Sequence, residues 1–222
     1  MIKTMEQWLT GKRLLIILTI AAAVWFSFTA VMTVLRYRLN YAPAYDFGIF
    51  SQMYYYMDKC LSPLTTCERD GLLSHFAVHL SPVFYVLLPF YKLVPRPETL
   101  LVLQSLVVIS GMVPLCLLTR AFVFTRPQTL CYGLMYCFYP AVMGGCFYDF
   151  HENKFLAVII LWCMYFLETG HFKSMLASAA LLLMVKEDAP VYAACIGLYL
   201  FLWKKQYRLG AVVFLASCAY FC

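Results

Sequence analysis

The 222-residue chain is 64% hydrophobic and 13% charged, with a mean hydropathy of +0.77; a soluble domain is about 45–50% apolar and about 25% charged. That composition excludes an ordinary water-soluble domain, and the long unbroken apolar runs exclude a β-barrel, whose short strands alternate. The net charge of +6 comes without a basic face interleaved with aromatics, so no nucleic-acid partner is expected.

In chain order, Leu14 to Leu35 follows Lys12-Arg13 and is long enough to cross a hydrocarbon core of about 30 Å. It is too long for a removed signal peptide and lacks a small-residue cleavage site, so it reads as a retained signal-anchor helix. Residues 36–78 form a polar, tyrosine-rich loop. Residues 80–94 are apolar but short, with Pro82, Pro89 and Pro95 spaced through them. Glu98–Thr119 and Pro127–Phe147 read as further spans, followed by shorter apolar segments over 155–167, 172–185, 189–203 and 209–222. The fold expected is all-α: a polytopic transmembrane helical bundle of about seven spans, in one domain over residues 1–222.

Segment 80–94 decides the topology. If it lies flat on the outer surface, Lys3, Lys12, Arg13, Arg120, Arg126, Lys173, Lys204, Lys205 and Arg208 fall inside, in short basic loops as the positive-inside rule prefers. Asp46, Asp58, Glu68, Asp70, Glu98, Asp149, Glu152, Glu187 and Asp188 then share the outer face, leaving Glu6 and Glu168 inside. The flat reading is therefore adopted, with the N-terminus inside.

Three polar islands interrupt the apolar pattern: Tyr45-Asp46-Phe47-Gly48, Asp149-Phe150-His151-Glu152 and Lys186-Glu187-Asp188. Charge at membrane depth is costly and is kept for a partner or a task. Asp46, flanked by aromatics after Pro43-Ala44, reads equally as a partly desolvated general base or as a helix N-cap. Asp149, His151 and Glu152 read as lining a wet cavity, the alternative being a solvated connection. Lys186 reads as a phosphate-holding point charge or as one member of a self-neutralising trio with Glu187 and Asp188. His75 and His79, four apart, share one face of a helix if one forms, suited to a phosphate or a metal; histidines bonded to loop carbonyls are the plainer alternative. Most of the ten cysteines lie in apolar runs and act as small hydrophobes. Cys60 and Cys67 flank a polar segment where a disulfide is open but two free thiols are favoured. No Walker loop, dinucleotide glycine pattern or nucleophile elbow is present.

On Tyr45-Asp46-Phe47-Gly48-Ile49-Phe50, His75-Phe76 with Ser81-Pro82, Asp149-Phe150-His151-Glu152 and Lys186-Glu187-Asp188, the chain resembles a bacterial family of predicted membrane proteins of unknown function, DUF2079. The likeness spans residues 40–210. That family in turn looks like a distant branch of the GT-C glycosyltransferases, and its usual length implies that this sequence, which stops at Cys222 within an apolar run, is the N-terminal half of a longer protein. The resemblance implies a GT-C-like bundle in the bacterial cytoplasmic membrane, with outer-surface helices in the first loop, transferring a sugar from a polyprenyl-phosphate carrier on the outer face. Asp46 then matches the first-loop acid and Asp149 the second acidic site. These are the catalytic candidates and, where a divalent cation such as magnesium or manganese is used, its ligands. His75, His79, His151, Glu152, Lys186, Glu187 and Asp188 become substrate-binding candidates, the phosphate lying near Lys186, His75 or His79. The chain departs from the usual paired acids in carrying a lone Asp46. A transporter or flippase-like protein and a non-catalytic membrane scaffold are the rival readings.

Overall fold

In the computed structural model the described residues are 6–41 and 45–221. Lys3, Pro43-Ala44 and Cys222, which entered the reading above, lie outside them. Helix α1 (Gly11–Arg38) begins where the Thr10 hydroxyl accepts a hydrogen bond from the Arg13 amide at 3.3 Å, an N-cap that satisfies one orphan donor. It ends at Asn40, whose φ of 58° turns the chain out of the helix. Its outward residues Leu15, Ile20, Val24 and Val31 are more than half exposed, as befits a helix facing lipid.

The segment read as a polar loop contains α2 (Tyr45–Cys60), a two-stranded antiparallel hairpin of β1 (Leu64–Thr65) with β2 (Leu73–Ser74), and a 3-10 turn over His75–Ala77. Then come α3 (Val83–Leu93), α4 (Pro97–Ser110), α5 (Met112–Ala121), α6 (Arg126–Phe138), α7 (Pro140–Cys146), α8 (Lys154–Glu168), α9 (Phe172–Leu183), α10 (Ala189–Leu202) and α11 (Tyr207–Phe221). Pro97, Pro127, Pro140 and Pro190 stand in the first turn of their helices, where a missing N–H is no loss.

The all-α expectation holds, and among the described residues two helices are long and apolar enough to cross a membrane: Gly11–Arg38 and the near-continuous Pro97–Ala121. Further apolar helices, Val83–Leu93, Phe172–Leu183, Ala189–Leu202 and Tyr207–Phe221, are shorter, so length and composition support two of the about seven expected spans. The span expected over Pro127–Phe147 is broken at Tyr139 (φ −68°, ψ 122°), because a residue before proline is driven out of helical geometry.

Two apolar cores hold the helices together. One gathers α2, α3 and α8–α10 around Phe50, Tyr54, Phe84, Phe150 and Phe155. The other joins α1, α4–α5 and α6 around Trp25, Met112 and Tyr136, with the Trp25 indole donating to the Cys137 carbonyl at 2.8 Å. Helices α10 and α11 meet backbone to backbone. A Cβ on Gly197 would lie 2.7 Å from the Phe214 amide, and one on Gly210 2.6 Å from that of Phe201, so both positions need glycine, as in close helix crossings in membranes.

The two ends of the bundle differ in chemistry. At one end, the last turn of α1 pairs Arg38 with Glu98 at the start of α4, 3.0 Å apart. At the other, the Arg126 guanidinium donates to the Leu9 carbonyl at 3.4 Å, and Lys204 pairs with Glu168 at 2.6 Å. Helix α3 has both termini at the Arg38–Glu98 end. The Val83 amide at its start donates to the Met184 carbonyl at 2.8 Å, two residues before Lys186, and its last residues lead directly into α4.

Candidate functional site

The three polar islands meet at that end, the first two around the Phe50 ring of α2 and the third through Lys186 beside Glu152. Phe50 lies edge-on to Phe150 (centroids 5.4 Å apart), to His151 (5.2 Å) and to His75 (5.5 Å). One buried aromatic ring thus joins the first loop to the Asp149–Glu152 connection, about a hundred residues later in the chain.

Asp46 stands in the first turn of α2, a favourable place for a carboxylate at the positive end of the helix dipole. Its Oδ2 accepts a hydrogen bond from the Tyr148 hydroxyl at 3.0 Å, and His151 Nε2 lies 4.0 Å from the same oxygen. The bond and charge of Asp46 raise the Tyr148 hydroxyl above its ordinary value. The Asp46 side chain keeps 34% of its surface open.

His151 reaches inward as well: its Nδ1 is 3.1 Å from Glu152 Oε2, and Lys186 Nζ is 3.7 Å from Glu152 Oε1. Glu152 is fully buried, and neither carboxylate oxygen has an aligned hydrogen-bond donor among the described residues. Burial pushes Glu152 up, but the His151 side chain, the local backbone and the Lys186 charge outweigh it and hold the group below the usual carboxylate value.

Asp149 is handled differently. Its φ of 91° is costly for a side-chain-bearing residue, and the strain is borne by a clamp on its carbonyl. The Gln104 amide of α4 donates there at 3.1 Å and the Lys154 ammonium donates to the same oxygen. Gln104 Oε1 in turn accepts from the His151 amide at 2.8 Å and from Lys154 at 3.2 Å. Asp149, 7% exposed as a residue, lines a narrow cleft with Thr33, Arg36, Tyr37, Phe47, Leu101 and Phe147. Burial pushes it above the ordinary aspartate value, against the nearby Arg36 and Lys154 charges.

The remaining candidates are tied up in pairs. His75 and His79 do not share a helix face. His75 opens the 3-10 turn and contacts Glu68 Oε2 at 2.9 Å through Nδ1, while His79 contacts Glu187 Oε1 at 2.7 Å. Each therefore has a carboxylate partner in place of the loop carbonyls that were the plainer expectation. Lys186 and Glu187 likewise face away from one another, toward Glu152 and His79. Asp188 is exposed at the N-cap position of α10 and makes no capping bond. Cys60 and Cys67 are free thiols.

Among the described residues no three His, Cys, Asp or Glu side chains converge as metal ligands. Asp46 is engaged by Tyr148, and Asp149 is not grouped with it as a ligand, so this donor set does not fit the divalent cation that the resemblance implied.

Sequence reading missed the roles of Gln104, Lys154, Arg36, Tyr148 and Glu68. Gln104 carried a legible signal, as the one amide within the apolar run 99–118, fully buried and saturated with bonds from one loop. Comparison with curated proteins and with solved structures gives no match. The family model described as predicted membrane protein (DUF2079) matches residues 35–222, which include all three islands and the helices that bring them together, and the chain belongs to that family.

Proposed function

We propose that the protein is a membrane-embedded glycosyltransferase-like enzyme that moves a sugar from a polyprenyl-phosphate carrier to a hydroxyl acceptor on the outer membrane face. The observation that carries this reading is the convergence of Asp46, His151, Glu152 and Lys186 at one end of an apolar helical bundle, beside lipid-facing helix surface. A soluble substrate has no need of such a setting, whereas a lipid carrier presents its reacting group at that depth.

In the proposed reaction Asp46 is the general base. One of its oxygens is held by Tyr148, and the other, which accepts no hydrogen bond among the described residues, takes the proton of the acceptor hydroxyl. The acceptor oxygen then attacks the anomeric carbon in line, the bond from that carbon to the phosphate oxygen breaks, and the phosphate leaves with its lipid, inverting the anomeric configuration. General-base assistance is worth about 10²–10⁴-fold.

The orientation belongs to the same proposal. Both termini of α3 lie at the island end, which supports a surface helix and a multi-pass chain with its N-terminus inside. Two experiments test the reading. In a background lacking the ten native cysteines, single cysteines at Asn153 and Arg69 should react with an impermeant thiol reagent in intact cells, and those at Thr125 and Gln206 should not; the reverse pattern would put the islands inside. Purified protein in lipid nanodiscs should transfer labelled hexose or pentose from a panel of decaprenyl-phosphate-linked sugars. Asp46→Asn should lower the rate at least 100-fold, and an unchanged rate would remove Asp46 from the mechanism.

A further inference from the structure

Asp46 Oδ2 and His151 Nε2 stand 4.0 Å apart, too far for a direct hydrogen bond. A single oxygen placed between them, at hydrogen-bond lengths of about 2.7–3.0 Å, reaches both. The gap is open to the outside, since the side chains of Asp46 and His151 keep 34% and 21% of their surface exposed. A carboxylate oxygen accepts two hydrogen bonds, so the Tyr148 bond to Oδ2 leaves room there for another. With Oδ1 unbonded among the described residues, Asp46 presents two adjacent acceptor positions, one of them shared with an imidazole nitrogen.

The imidazole is aimed from behind. Its Nδ1 lies 3.1 Å from the buried Glu152 Oε2, and the Phe50 ring packs edge-on against it. A carboxylate beside one ring nitrogen fixes a proton there and leaves the other nitrogen to a ligand. Neutral, His151 accepts a hydroxyl hydrogen at Nε2; as an imidazolium it donates to the hydroxyl oxygen, whose own hydrogen goes to Asp46 Oδ2. His151 Nδ1 and both Glu152 oxygens are buried without an aligned partner among the described residues, a state that native interiors rarely leave unresolved. A small turn of the ring as a ligand seats would align them, as bonds at such sites tighten on binding. The surroundings of the gap are aromatic. Tyr148 and Tyr45 are 55% and 63% exposed, and the Tyr148 and His151 ring centroids are 6.3 Å apart.

We infer that Asp46 and His151 bind a vicinal diol, the adjacent hydroxyl pair of a sugar or polyol. One hydroxyl lies on Asp46 Oδ1, its neighbour lies between Oδ2 and His151 Nε2, and the Tyr148 ring stands beside the carbon skeleton. Two acceptor oxygens on one carboxylate match two hydroxyls on adjacent carbons, and exposed tyrosine surface matches the apolar C–H face of a pyranose. A lone alcohol fills one of these places and leaves the other to water. Glu152 is the positioning residue, acting through the imidazole. That the diol is the acceptor in sugar transfer, with the hydroxyl on Oδ1 attacking and its neighbour fixing which hydroxyl reacts, rests on the reading above; the diol site does not.

The test is saturation-transfer NMR on the full chain in lipid nanodiscs, with methyl glucopyranoside, methyl mannopyranoside, cis-1,2-cyclohexanediol, 1,4-cyclohexanediol and cyclohexanol as probes. The glycosides and the 1,2-diol should bind. The 1,4-diol, whose two hydroxyls are set apart, and cyclohexanol should bind at least tenfold more weakly. Asp46→Ala and His151→Phe should each weaken the 1,2-diol at least tenfold, with His151→Gln intermediate because its amide still reaches the hydroxyl. Tyr148→Phe, which keeps the ring, should hold the glycosides better than Tyr148→Ala. His171→Gln, at the opposite end beside Thr169, should change nothing. Equal binding of the 1,2- and 1,4-diols by the wild type, a comparison that needs no variant to fold, would overturn the inference. So would unchanged binding in Asp46→Ala and His151→Phe proteins of unaltered melting temperature. Diol binding without sugar transfer from any decaprenyl-phosphate donor keeps the site and removes the transfer reading. Transfer to cyclohexanol as fast as to the 1,2-diol keeps the transfer reading and overturns the inference.

Discussion

The connection from Phe147 to Lys154 has two sides, and they treat two carboxylates three residues apart in opposite ways. On the side facing α8 and α10, Glu152 is sealed from water but surrounded by His151 and Lys186, which hold it ionised. On the side facing α1, Asp149 is nearly as buried, yet its backbone carbonyl, and not its carboxyl, receives the hydrogen bonds, and burial holds it toward the neutral form. Burial alone therefore does not tell what an acid is for. A buried acid with its counter-charge in place is a structural member, while one that burial holds toward the neutral form is not. The first is costly to remove and the second is not.

The sharpest way to break that contrast is Glu152→Gln. Removing one partner of a buried charge pair costs about 3–5 kcal/mol, because Lys186 and His151 would then face an amide in place of a charge. The double variant Glu152→Gln with Lys186→Met should recover much of the loss, since the stranded charge goes too. The pH dependence has a definite sign. A carboxylate whose value is depressed on folding contributes stability above its unfolded value of about 4.3 and loses it as pH falls through the lower folded value. Chemical denaturation in detergent between neutral and acid pH should therefore show the wild type losing its advantage over Glu152→Gln as pH drops. A variant as stable as the wild type at neutral pH would show that the pair does not hold the fold.

Gln104→Leu tests the clamp that both sides share. It strips the partners from the His151 amide and from one bond to the Asp149 carbonyl at a fully buried position, and a buried polar group left unpaired costs about 1–3 kcal/mol. The expected readout is a lower melting temperature together with faster hydrogen exchange over residues 147–154, and unchanged exchange in α10 and α11. Uniform loss of protection would mean that Gln104 supports the bundle at large and not the loop.

Asp149→Asn should shift the balance the other way. An acid whose value is raised on folding contributes stability below its unfolded value, about 3.9, and loses it as pH rises through the raised folded value. At neutral pH the ionised form is therefore a burden, and the amide, which also tolerates a positive φ, should raise the melting temperature slightly. The wild type should close that gap in acid. If Asp149→Asn is instead as damaging as Glu152→Gln, the two sides of the loop are alike.

Much of this arrangement was legible beforehand. The apolar run Glu98–Thr119 became Pro97–Ala121, and the division of 172–203 at Lys186-Glu187-Asp188 falls where α9 gives way to α10, because charge breaks an apolar helix where the chain leaves lipid depth. The gathering of the islands at one end followed from alternating helix directions. The pairings did not. His79 and Glu187 are 108 residues apart, and a pair defined by packing leaves no local mark. The His75–His79 spacing suggested a helix, but the hairpin that ends at Ser74 permits a single 3-10 turn there. The resemblance made Asp46 and Asp149 joint catalytic candidates, and what separates them is set by packing: Asp46 is partly open and bonded to Tyr148, while Asp149 is buried on a twisted backbone.

The smallest effect belongs to His79 and Glu187, which lie at the rim with side chains 39% and 46% exposed. Exposed ion pairs contribute about 0.2–1 kcal/mol by double-mutant cycle, since water and salt screen the charges and two flexible side chains must be held still. A cycle of His79→Gln and Glu187→Gln should give a coupling in that range, shrinking as salt is added. The melting temperature will hardly move, so local exchange is the better measurement. His79 follows the hairpin and Glu187 precedes α10, so breaking the contact should speed exchange over residues 61–80 while Glu152 and its neighbours stay protected. A coupling several times larger would place His79 in the buried charge system with Glu152 and Lys186, and the sealed side of the site would then extend to its rim.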